Sequence, residues 1–126
     1  AVIEKPEVEP LVAEPAATPE VVAVAFDLWV LRLTLHFPQS VYPTYVEFEE
    51  VAGFRVLDEG DLLEFWGPEV KKPGWLWRVT AGGWRELEST RSGFLRTDAR
   101  EFLVLGINDC VSVFSGGEPR VYAPAL

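Results

Sequence analysis

A chain of 126 residues fits one domain, and 48% hydrophobic content is enough to build a core without a disulfide framework, which the single Cys110 could not supply. A net charge of −9 excludes phosphate backbones as the main partner, because nucleic-acid binding rests on concentrated Lys and Arg. The longest apolar stretch, 21–37, is broken by Asp27, Arg32, Thr34 and His36, so no membrane partner is expected.

Residues 1–20 hold four of the ten prolines with Glu, Ala and Val between them, and read as an extended Pro/Glu-rich leader or linker. From residue 21 to 126 the pattern is that of a single β-rich domain. Over 28–37 one face reads Trp29, Leu31, Leu33, Leu35 and Phe37, which predicts a strand with a wholly apolar face and places Trp29 in the core. Prolines 38 and 43 frame a turn. Residues 44–50 and 54–57 predict two strands with a corner or bulge at Gly53. Asp58-Glu59-Gly60-Asp61 can cap a short helix that sets Leu62, Phe65 and Trp66 on one side. Residues 75–80 and 84–89 predict a hairpin around Ala81-Gly82-Gly83. A second hairpin is expected from 101–107 and 110–115 about Asn108-Asp109, followed by a short edge strand at 120–123.

About seven to nine short strands separated by Gly/Pro turns predict a mainly β fold: an antiparallel sandwich or partly open barrel with one short helix. The alternative is an α+β arrangement with one helix on an antiparallel sheet.

Catalytic chemistry finds little support. Nucleophilic catalysis needs a base in reach of the nucleophile, and the one histidine, His36, sits on a strand face beside Arg32 and Thr34. One His and one Cys do not make a zinc site, and the acids at 58–64 lack the spacing of a calcium loop, so no metal and no cofactor are expected. Glu47 with a second acid could in principle form a hydrolytic carboxylate pair, but acids two apart on a strand face are also what any solvated strand carries. The expectation is a chain that is not an enzyme. A lone cysteine and no basic segment ahead of an apolar run point to a soluble cytoplasmic protein.

Charge is unevenly distributed. Residues 41–70 hold eight acids against Arg55, whereas 71–100 hold seven bases against three acids. Glu47, Glu49, Asp58, Glu59, Asp61 and Glu64 are therefore the expected protein-binding residues, able to steer a basic partner and make charge-assisted hydrogen bonds. The other candidate is a carbohydrate or small-ligand module in which Trp75, Trp77 and Trp84 form a stacking platform, set against the frequent burial of tryptophan in cores. Oligomeric state is not legible.

Two stretches, residues 46–66 (VEFEEVAGFRVLDEGDLLEFW) and 100–115 (REFLVLGINDCVSVFS), resemble small uncharacterised bacterial proteins, including immunity-type partners of secreted toxins. Together they cover under a third of the chain. The resemblance implies a non-catalytic protein that binds and blocks its partner; the proline-rich leader is not part of that pattern.

Overall fold

The computed structural model describes residues 6–12, 14–58, 74–89 and 99–123. Among them are nine strands and one helix: β1 (Glu7–Val12), β2 (Glu20–Phe26), β3 (Val30–His36), β4 (Thr44–Glu49), β5 (Val51–Asp58), β6 (Leu76–Ala81), α1 (Gly83–Ser89), β7 (Arg100–Val104), β8 (Asp109–Ser115) and β9 (Arg120–Tyr122). They form two antiparallel sheets, ordered β1-β6-β7-β8-β5 and β2-β3-β4-β9. The fold is mainly β, an antiparallel sandwich with one short helix.

Alternation decides which faces meet. Leu31, Leu33 and Leu35 of β3 and Val46 and Phe48 of β4 point inward and are fully buried. From the five-stranded sheet they meet Leu76, Phe102, Val104, Val111 and Val113. Edge-on contacts such as Phe37–Trp75, with centroids 5.1 Å apart, close the core at one end. The five-stranded sheet is apolar on its outer side too: Trp77, Val79, Leu103 and Cys110 form a second buried cluster there. Arg100–Val104 can therefore hide nearly every residue, because both of its faces are covered.

The proline-rich opening contributes β1, which pairs with β6 from Glu7↔Ala81 to Val12↔Leu76. As the outermost strand it tolerates Pro10, whose missing N–H would break an interior ladder. The Trp75 indole N–H then donates to the Glu14 carbonyl at 3.2 Å, tying the following turn to the core.

Three sequence expectations are corrected. Residues 84–89 are helical rather than the second arm of a hairpin. Gly82 and Gly83, with φ of 70° and 76°, turn the chain out of the sheet. The Glu101 carboxylate then receives the N–H groups of Trp84 at 3.2 Å and Arg85 at 2.7 Å, which rewards a helical start. Trp29 is not core: the strand begins at Val30, and Trp29 stands in the β2–β3 turn with 81% of its surface exposed. The 101–115 hairpin forms, but its last pair is Val104↔Val111, so the connection is longer than two residues. The bulge expected as one alternative at Gly53 is present as a register shift between Val51 and Gly53, while the corner between β4 and β5 lies at Glu50, with φ of 53°. The helix expected after Asp58 lies outside the described residues, apart from Asp58 itself, which ends β5.

Candidate interaction face on the four-stranded sheet

The outward residues of the four-stranded sheet follow from its register. One row reads Ala25, Arg32, Glu47, Arg120 across β2, β3, β4 and β9, and the next reads Ala23, Thr34, Tyr45, Tyr122. Glu47 is the hub. Its carboxylate accepts from Arg120 Nη2 at 2.7 Å and from the Tyr122 hydroxyl at 2.7 Å, and Arg32 Nε lies 3.8 Å away. The hydrogen bond from Tyr122, supported by Arg120, holds the Glu47 pKa below the usual glutamate range. Arg32 stacks over Tyr45 and Arg120 over Tyr122, at 5.0 and 4.6 Å, and the two tyrosine rings are 5.3 Å apart.

The β2–β3 turn rises from one end of this face. Asp27 Oδ1 accepts from the backbone N–H of Trp29 at 2.9 Å and of Val30 at 2.8 Å. Those bonds stabilise the carboxylate and lower its pKa, Val30 contributing most. Leu28 occupies the left-handed region at φ 79°, where a branched side chain is strained. It is 82% exposed, so no packing offsets that strain. Next to the turn, Ala25, Phe26, Asp27, Val30, Arg32 and Glu47 line a shallow depression of about 340 Å³. Glu49, opposite Val30, and Glu50, at the β4–β5 corner, are exposed nearby. Two exposed apolar residues are thus presented on a hydrogen-bonded turn beside Asp27, Glu49 and Glu50. Val41 and Tyr42 are also exposed, in the loop at the other end of β3.

The acids expected to bind a partner are not gathered into one patch. Glu47 is largely neutralised by Arg120 and Arg32. Glu49 lies on the same face and is exposed. Asp58 ends β5 in the other sheet, opposite Asp109. Glu59, Asp61 and Glu64 lie outside the described residues. The three tryptophans do not form an exposed platform. Trp75 and Trp77 are 1% and 5% exposed, and Trp84 stacks on Phe114 at 4.1 Å.

Sequence reasoning gave no binding role to Asp27, Leu28, Arg32 or Arg120 and placed Trp29 in the core. Asp-Leu-Trp between two alternating runs was the available signal, since Asp often bonds the backbone two or three residues on. It also passed over Glu101, which is 1% exposed beneath α1. Burial raises the pKa of Glu101, against the N–H groups of Arg85 and Trp84 and the positive charge of Arg55. Among the described residues no group of three or more His, Cys, Asp or Glu could hold a metal. No helix of these residues is long and apolar enough to cross a membrane. No family model matches the chain, and neither a curated protein nor a solved structure is significantly similar to it.

Proposed function

We propose that the chain is a non-enzymatic protein-binding domain whose partner offers an apolar pocket with a basic rim, in the manner of an inhibitor or immunity-type protein. The supporting observation is the β2–β3 turn. Leu28 and Trp29 are 82% and 81% exposed on a turn pinned by Asp27. Trp is enriched among the few residues that carry most of the binding energy at interfaces, and a rigid anchor loses little entropy on docking. Strained leucine in full solvent has no structural reward, which favours a contact role.

Asp27, Glu49 and Glu50 beside the anchor, within a chain of net charge −9, select a basic rim and speed the encounter. They also disfavour docking on an anionic lipid surface. Arg32 and Tyr45 on the adjoining face are residue types common in interface cores, and Glu47 holds Arg120 and Tyr122 in place there. A cytoplasmic setting suits a protein whose one cysteine is buried and in no disulfide.

The test is affinity capture with the immobilised full chain, followed by measurement of the Kd of whichever protein is recovered in stoichiometric amount. Trp29→Ala should weaken that complex by at least about thirtyfold, and raising the salt should slow its association. Equal binding by wild type and variant would reject the proposal, as would recovery of no stoichiometric partner.

A further inference from the structure

Among the described residues the four-stranded sheet ends in β2, and β2 differs from the other outermost strands. β1 is blunted by Pro10 and by exposed Glu7 and Glu9. β9 has three residues. β5 carries Arg55 and the register shift before Gly53. β2 reads Glu-Val-Val-Ala-Val-Ala-Phe, with neither proline nor lysine, and charge only at its first residue. Natural sheets usually protect such an edge, because its unpaired N–H and C=O groups template a further strand.

The usable stretch can be located. The entry to β2 is occupied: Ile107 donates to the carbonyl of Pro19, just ahead of the strand, at 2.9 Å, Gly106 lies against Val21, and the register shifts between Val21 and Ala23. From Ala23 to Phe26 the pairing with β3 is regular. The Asp27 N–H donates to the Val30 carbonyl, so by antiparallel alternation Ala25 also turns its main chain toward β3. Val24 and Phe26 therefore turn theirs outward, offering two donors and two acceptors to an incoming strand. The small side chains of Ala23 and Ala25 leave room above the sheet for that strand's larger residues.

Resting on the reading that this domain binds a protein, we infer that β2 extends the interface by strand addition, pairing Val24 and Phe26 with an extended, lysine- or arginine-flanked segment of the same partner. Glu20 and Asp27 bracket the open edge and are both exposed. They complement basic flanks, while a second copy of this chain, at −9, is repelled.

The probe is a six-residue synthetic peptide of alternating valine and threonine with a lysine at each end, titrated into the full chain and followed by amide NMR. The expected result is shifts centred on Val24 to Asp27, slowed exchange of the Val24 and Phe26 amides, and a Kd of about 0.1–1 mM. Glutamate in place of the terminal lysines should weaken binding at least tenfold, and N-methylation of the peptide's pairing amides should abolish it. The peptide offers no pocket to Leu28 and Trp29, so this titration fails or succeeds separately from the capture experiment. Equal binding of the N-methylated peptide, shifts centred on another strand, or concentration-dependent shifts without peptide would each overturn the inference.

Discussion

The carboxylate of Glu101 on β7 receives the backbone N–H of Arg85 at 2.7 Å, so a buried acid of the sheet holds the first turn of α1. Gly83 makes that approach possible. A Cβ there would meet Val79 Cγ1 at 3.0 Å and both Glu101 carboxylate oxygens at 3.1 Å, on a backbone already at φ +76°. Gly83→Ala should therefore cost about 2–3 kcal/mol, from left-handed strain plus the displaced carboxylate. Urea unfolding measures it, and a loss below about 0.5 kcal/mol would show that the cap is not fixed by this contact.

Glu101 also sets a pH dependence. Burial raises its pKa in the folded state, so the native protein binds this proton more readily than the unfolded chain. Its contribution to stability is most favourable below the unfolded glutamate value, and declines as pH rises through the higher folded value. Glu101→Gln removes the ionisation while keeping the shape. Stability curves of the two proteins between about pH 4 and 8 should diverge in favour of the variant as pH rises. Parallel curves would sink this account.

Glu47 acts with the opposite sign. Its folded pKa is depressed, chiefly by the Tyr122 hydroxyl. The stability it contributes is complete above the unfolded value of about 4.3, and is lost as pH falls through the lower folded one. Tyr122→Phe removes that hydrogen bond and should cost about 1 kcal/mol at neutral pH. The cost should shrink in acid, where wild type loses the same interaction. A penalty independent of pH would mean that the hydroxyl acts through a group other than the Glu47 carboxylate, and no penalty at all would mean that Tyr122 works by packing against Tyr45 alone.

The sandwich was legible because strands buried on one side write their burial as alternation. Leu31, Leu33 and Leu35 could point only one way. The helix was not legible. Tryptophan and arginine in residues 84–89 suit a strand as well as a helix, and the deciding contact comes from Glu101, twelve residues beyond Ser89. Trp29 misled for a related reason: alternation starts one residue ahead of β3, and the turn that exposes it depends on Asp27 Oδ1. The acidic run was legible as charge but not as a surface. Successive strands sent Glu47 to Arg120 on one sheet and Asp58 to the end of the other.

Trp29 offers a clean separation of binding from folding. With four fifths of its surface in solvent, the indole contributes little to the core. Trp29→Ala should change unfolding stability by no more than about 0.5 kcal/mol, as surface substitutions do. Its fluorescence should be quenched by acrylamide more readily than that of Trp75 and Trp77, which are buried. A destabilisation of 2 kcal/mol or more would place the ring in contacts that its exposure denies.

Leu28 carries the sharper contrast. At φ 79° a leucine pays a steric penalty that asparagine largely escapes, and its side chain is too exposed to recover it. Leu28→Asn should hold or raise stability by up to about 1 kcal/mol, read as a higher midpoint in denaturant with an unchanged slope. The same substitution should weaken the complex captured through Trp29, since an apolar anchor is replaced by a hydrated amide. A variant both more stable and equally good at binding would leave the strained leucine without a role in recognition. Opposite movement of the two measurements is what a residue kept for its partner requires.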